Sequence, residues 1–274
     1  MPVRRKTGSM LAVDTADYRG EVHVQLDGVP DGRVLVLLHG FASSLQWFDL
    51  VTASLNDTFR VVRMDLVGLG ATGGPALDAP AQAAVVEGVL DQLDVHDVVV
   101  VGHSFGADVA VGVAATSPRV ARVVIVAQAP DYSDARLPPG SALMTPQLLG
   151  TVLHRIAVPV AVSLGAVASR SRLPQRDLVG QGIADFRATN PGMFRVVIRD
   201  RRERLRVNPL DAQLRAIGKP ALVILGEKDY FYGARSAQRY RDVGAQVEVL
   251  ADSGHSAIID CPGEVADALR GFAG

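Results

Sequence analysis

Gly102-His103-Ser104-Phe105-Gly106 is the segment of this chain with the clearest capacity for chemistry. A G-x-S-x-G sequence carries meaning when a strand leads into it and a helix leaves it, because the serine then stands at a tight corner with its hydroxyl clear of the backbone. Both flanks are present: 97–101 reads as a buried strand, and 105–116 is a small-residue run with helical promise. Gly102 and Gly106 lack the side chains that would hold strand and helix apart. The start of such a helix aims N–H groups at negative charge forming beside the serine. The chemistry implied is nucleophilic attack by Ser104. A serine hydroxyl is a weak nucleophile near neutral pH, so it requires a base, and the base requires a group that fixes its tautomer. His255 and Asp229, each just past an expected strand, have the residue types for base and acid. Asp131, past a different strand, is the alternative acid.

Residues so far apart in sequence meet only if the intervening elements bring strand ends together. Short alternating stretches at 10–13 and 21–26 read as strands before the turn at 27–32. The continuous apolar run at 34–38 reads as a strand covered on both faces, 59–64 as the next strand, 97–101 and 122–127 as buried strands, 221–225 as the strand where the pattern returns, and 246–250 as a last strand. Helices are expected over 45–55, capped by Ser43 or Ser44, and over 80–93, 105–116, 233–243 and 263–272. This alternation predicts an α/β fold with a mostly parallel eight-stranded sheet flanked by helices. Ligands of such sheets bind beyond the carboxyl ends of the strands, where Ser104 and the His39-Gly40-Phe41 turn both fall. The rhythm breaks over 131–218. A structureless loop of that length is improbable in a compact domain, so an inserted helical cap is expected there, with a long apolar helical stretch at 148–168. The core is then 1–130 and 219–274. Arginine-rich pieces at 170–176 and 199–206 could bind an anionic substrate, but interleaved Asp177, Asp200 and Glu203 favour a solvated face.

Five segments together resemble the α/β-hydrolase superfamily, in its serine-nucleophile, capped, esterase-like form: HGF at 39–41, DLVGLGATG at 65–73, GHSFG at 102–106, LGEKD at 225–229 and SGH at 253–255. The resemblance covers nearly the whole chain outside the cap. It implies a Ser104–His255–Asp229 triad, with the acid after the strand that follows the cap and the histidine after the last strand. It also implies an oxyanion hole from the backbone N–H groups of Phe41 and Phe105. Val67 and Thr72 stand where the family usually has Pro and Ser, and Ala107 where a further Gly is common; none of these departures touches the triad. Phe41, Trp47 and His103 are the pocket candidates, although the His103 side chain is expected to point away from the site. Trp47 and Phe48 also read as packing residues, His39 as a structural hydrogen-bonding group, Asp252 as a turn residue and Cys261 as packed or half-buried. Gly68-Leu-Gly70-Ala-Thr-Gly73 matches G-x-G-x-x-G, but Gly74-Pro75 follows where a helix should open, which argues against a dinucleotide site.

Composition narrows the function further. The 274 residues are 48% hydrophobic and 21% charged, enough for a large core, and the net charge of -1 attracts neither nucleic acid nor an anionic membrane. One cysteine permits no internal disulfide and no cysteine-based zinc site. The basic start lacks an apolar segment of signal-peptide length, so a cytoplasmic location is expected. The expected activity is that of a serine hydrolase cleaving an ester or related acyl bond of a mainly hydrophobic small molecule, without cofactor or metal, as a monomer or homodimer. The alternatives are a C–C hydrolase, lyase, thioesterase, cyclase or other tailoring enzyme on the same triad, and a non-catalytic small-molecule receptor.

Overall fold

A computed structural model of the chain describes residues 8–133, 135–137, 139–156 and 176–274. Eight strands form one sheet: β1 (Ser9–Asp14), β2 (Arg19–Gly28), β3 (Val34–Leu38), β4 (Arg60–Met64), β5 (Val98–His103), β6 (Val120–Val126), β7 (Ala221–Gly226) and β8 (Gln246–Leu250). Their order is β1-β2-β4-β3-β5-β6-β7-β8. The β1–β2 and β2–β4 pairs are antiparallel, and every pairing from β4 through β8 is parallel. β3, β5 and β7 are buried along their whole length, as continuous apolar runs in a sheet covered on both faces should be.

The helices of the described core are α1 (Asp49–Leu55), α2 (Ala79–Gln92) and α3 (Phe105–Thr116). Between β6 and β7 come α4 (Gln147–Ile156), α5 (Arg176–Ala188), α6 (Gly192–Arg195), a π-helical turn at Val196–Asp200, α7 (Arg201–Val207) and α8 (Leu210–Ile217). The chain closes with α9 (Ala237–Arg241), α10 (Ala257–Asp260) and α11 (Pro262–Ala273). Successive strand residues alternate between two apolar layers. Val36, Val100 and Val223 face the layer that holds Val85 of α2, Val109 of α3 and Tyr240 of α9. Leu35, Val99 and Ile224 face Val51 of α1, Ile258 of α10 and Leu269 of α11.

Three local expectations change. The helix expected over 45–55 opens as a 3-10 turn, Leu45–Phe48, and Ser44 makes no side-chain cap. Asp65, from the end of β4, caps it instead: its Oδ1 accepts from Leu45 N–H at 2.7 Å. A buried carboxylate fixed by the sheet outcompetes a local hydroxyl, and Ser43 Oγ donates to the Gly40 carbonyl instead. The helix expected over 233–243 shortens to Ala237–Arg241, because Gly233 adopts a left-handed φ of 61°. Between β6 and β7, α8 packs on α3, with Leu210 and Leu214 in the core layer. Leu210 N–H donates to the Pro130 carbonyl at 2.9 Å, so the chain returns beside the point where it left. Of the expected apolar helix over 148–168, residues 157–168 lie outside the described residues. So does the arginine-rich piece 170–176, apart from the backbone of Arg176. Among the described residues no helix is long and apolar enough to cross a membrane.

Candidate active site

The ends of β5, β7 and β8 converge at one edge of the sheet. Ser104 follows β5 directly, with φ 52° and ψ −117°, a backbone conformation that costs free energy for a residue with a side chain and is kept only where its surroundings impose it. The surroundings here are backbone. A Cβ on Gly102 would lie 2.1 Å from the Gly106 carbonyl oxygen, and one on Gly106 would lie 2.3 Å from that of Leu38. Strand, elbow and helix therefore meet at a distance only glycine allows.

His255 lies beyond β8 and Asp229 beyond β7. His255 Nε2 is 3.0 Å from Ser104 Oγ, and His255 Nδ1 is 2.9 Å from Asp229 Oδ2. A carboxylate accepts only, so Nδ1 carries the proton and Nε2 turns its lone pair toward the serine hydroxyl. The second carboxylate oxygen, Asp229 Oδ1, accepts from the N–H groups of Phe231 at 2.7 Å and Tyr232 at 3.3 Å. The Asp229 side chain is 2% exposed and that of His255 13%. The rings of Phe231 and Tyr232 lie 4.8 and 5.7 Å from the imidazole and shield the pair from water. The two loops are stitched together by Lys228 N–H donating to the Ser253 carbonyl at 2.9 Å.

The oxyanion candidates follow from peptide geometry. Phe105 is the first residue of α3, where N–H groups have no partner within the helix. The Gly40 carbonyl, on the same peptide as the Phe41 N–H, accepts from His39 Nδ1 and Ser43 Oγ, both at 2.8 Å. In a trans peptide the N–H points opposite the carbonyl, so anchoring one aims the other. His39 Nε2 accepts from Leu66 N–H at 3.0 Å, which fixes the tautomer in which Nδ1 donates. The structural role expected of His39 is thus visible in its partners.

The remaining candidates separate by position. His103 is buried, and its Nε2 donates to the His255 carbonyl at 2.9 Å. Burial and the neighbouring His255 push its pKa down to about 3, so it stays neutral. Its ring therefore ties the elbow to the histidine loop. Trp47 Nε1 donates to Asp185 Oδ2 of α5 at 2.6 Å, and Phe48 is fully buried. Phe41 packs edge-on against Phe194, with ring centroids 4.8 Å apart. Asp131 pairs with Arg239 at 2.8 Å, and Asp229 is the carboxylate bonded to His255. Asp252 pairs with Lys228 at 2.7 Å. Cys261 is buried, with burial pushing its thiol up to about 11. The described residues contain no cluster of three or more His, Cys, Asp or Glu arranged to hold a metal.

Three buried polar residues have roles that motif reading did not anticipate. Asp65 is the hub of the glycine-rich loop: it accepts from Leu45 and Ala71 N–H and contacts His23 Nδ1 at 2.8 Å. Asp185 receives Trp47 and Gln181 from two sides. Arg201 departs from the solvated-face expectation for 199–206: its side chain is 2% exposed and paired with Asp108, whereas Arg202 and Arg206 are exposed as expected. The signal for Arg201 was its spacing, four residues before Leu205 on the buried side of α7.

The model of the alpha/beta hydrolase family matches residues 35–268. The chain belongs to that family. It is an α/β-hydrolase enzyme with the eight-stranded, mostly parallel sheet of that fold. A pimeloyl-[acyl-carrier protein] methyl ester esterase from Stenotrophomonas maltophilia is 29% identical, covering 92% of this chain and 96% of its own. A cis-3-alkyl-4-alkyloxetan-2-one decarboxylase from Shewanella oneidensis is 27% identical, covering 88% of this chain and 82% of its own. The crystal structure of an enol-lactonase from Burkholderia xenovorans superposes with a TM-score of 0.78 at 21% identity, covering 96% and 99% of the two chains, and shows the shared fold.

Proposed function

We propose that this α/β-hydrolase is a serine esterase whose catalytic triad is Ser104, His255 and Asp229. The observation that carries the reading is the continuous chain of contacts from Asp229 Oδ2 through the imidazole to Ser104 Oγ, at 2.9 and 3.0 Å. In this reading His255 Nε2 takes the Ser104 proton as Oγ adds to the substrate carbonyl carbon. The Phe41 and Phe105 N–H groups hold the oxyanion, and imidazolium returns the proton to the leaving alcohol. Water, deprotonated by His255, then attacks the acyl-enzyme and releases the acid. Asp229 keeps Nδ1 protonated and supports the positive imidazolium without itself taking the proton.

The substrate proposed is a small molecule with a mainly apolar acyl or alcohol part. Phe41 sits in an apolar cluster with Phe194, Phe186, Ile183, Met144 and Ile198, all but Phe41 from the insertion. That cluster supports reading 131–218 as a cap over the site, and Trp47 stands at its junction with the core. The methyl ester esterase among the relatives supports an ester as the bond attacked. The decarboxylase relative favours a second reading, in which the same triad serves C–C bond cleavage. The proposed setting is the cytoplasm, as a monomer or homodimer. An alkyl fluorophosphonate should label the wild type and fail to label Ser104→Ala, and p-nitrophenyl esters of rising chain length should turn over. Labelling without ester turnover would favour the second reading, and no labelling would sink both.

A further inference from the structure

The insertion reaches behind the catalytic centre through a single guanidinium. Arg201, first residue of α7, donates from Nε to Asp108 Oδ1 at 3.0 Å and from Nη2 to Asp108 Oδ2. Asp108 lies in the first turn of α3, four residues after Ser104, and its side chain is wholly buried. The other guanidinium nitrogen, Nη1, donates to Tyr132 Oη at 3.0 Å and Tyr232 Oη at 3.4 Å. The group also lies 5.9 Å from the ring centroid of Phe105, whose N–H is an oxyanion candidate. Tyr232 closes the loop that begins at Asp229: its backbone N–H donates to Asp229 Oδ1, and its ring faces His255.

Burial opposes the charged guanidinium, but the Asp108 carboxylate more than offsets this and holds the Arg201 pKa above its ordinary value. Arg204 Nη2 shares Asp108 Oδ1 at 2.9 Å. Tyr132 Oη, with its phenol pushed up by burial, donates onward to the Val197 carbonyl at 2.8 Å. Every partner of Nη1 and Nη2 thus belongs to the elbow helix, to the acid loop, or to the segment that leaves β6. A planar fork with fixed donor directions can hold these at once, and a lysine ammonium cannot.

We propose that Arg201 is a positioning residue whose buried guanidinium locks the elbow helix to the loop carrying Asp229, holding Ser104 and His255 at reacting distance. It touches no reacting atom and acts through Asp108 and Tyr232. The proposal rests on the triad reading above. It gives the insertion a second task besides covering the site, because helix α7 becomes part of the frame that aligns the catalytic strand ends.

Saturation kinetics of Ser104 phosphonylation by an alkyl fluorophosphonate, followed by intact mass, separate the maximal rate from the half-saturating concentration. Arg201→Lys should lower the maximal rate about ten- to a hundredfold through misplacement, with little change in half-saturation. Tyr232→Phe, which removes the one bond from the guanidinium to the acid loop, should lower it about three- to tenfold. Arg204→Gln removes a bond to Asp108 that does not lead to the acid loop, and should keep the wild-type maximal rate while losing thermal stability. Wild-type kinetics in folded Arg201→Lys would overturn the proposal. If Arg201→Lys does not fold, equal losses in Arg204→Gln and Tyr232→Phe would overturn it. A wild type that is not labelled at Ser104 would instead remove the triad reading, and the proposal with it.

Discussion

The elbow and the segment between β6 and β7 are tied down by different contacts. Around Ser104 the chain packs backbone against backbone: Gly102 against Gly106, and Gly106 against Leu38 and His39. Between β6 and β7 the described helices are joined to the core through buried polar groups, Asp185 with Trp47 and Arg201 with Asp108. The first arrangement tolerates no added atom. The second tolerates no lost partner. A shape defined by close approach leaves glycines at fixed spacing, whereas one defined by a long-range ion pair leaves two charged residues with nothing local to mark them.

That contrast yields ways to test each side. The largest stability effect is expected from Asp108→Ala, which leaves the Arg201 guanidinium buried without its counter-charge and should cost about 3–5 kcal/mol in urea melts. Preserved stability would show the pair to be dispensable. Gly106→Ala follows, because the new methyl group meets the Leu38 and His39 carbonyl oxygens. Strand and helix must part to admit it, at a cost of about 1–3 kcal/mol or more. Trp47→Phe removes a donor from the buried Asp185 carboxylate and should cost about 1–3 kcal/mol, read from the same melts.

The smallest effect concerns pH. Burial raises the Asp185 pKa above its ordinary value, against the hydrogen bonds from Trp47 and Gln181 that lower it. The folded state then holds this proton more tightly than the unfolded state. The stability tied to it is present below the unfolded value, about pH 4, and is lost as pH rises through the folded one. The stability of the wild type relative to Asp185→Asn should therefore fall as pH increases from acid toward neutral. A rising difference would reverse the sign of the argument. His103, held neutral in the folded state, takes up a proton in the unfolded state below about pH 6.5, so it lowers stability as pH falls in wild type and Asp185→Asn alike and cancels from their difference.

What could be read from the sequence divides along the same line. The valine- and leucine-rich runs within 34–38, 97–101 and 221–225 sat close to the observed strands because a strand buried on both faces needs an unbroken apolar run. The elbow and the residues at its neighbouring strand ends were legible because close approach demands glycine and the strand ends fix the order. Ser44 misled as a cap because Asp65 reaches Leu45 from twenty residues away. Arg201 sat among exposed arginines and acids of the same segment, so local charge pattern pointed to solvent while tertiary pairing with Asp108 took it inside. Motifs expose the groups that react; partners distant in sequence determine how those groups are held.

The central claim is the assignment of Ser104, His255 and Asp229 to one catalytic unit, and it is tested most directly by the rate of fluorophosphonate adduct formation at Ser104 in wild type, Asp229→Asn and Asp131→Asn. The account predicts a fall of about a thousandfold or more for Asp229→Asn, since an asparagine no longer holds His255 in the tautomer that accepts the serine proton. Asp131→Asn, whose carboxylate pairs with Arg239 instead, should react at the wild-type rate. A wild-type rate in Asp229→Asn, or the large fall in Asp131→Asn, would contradict it.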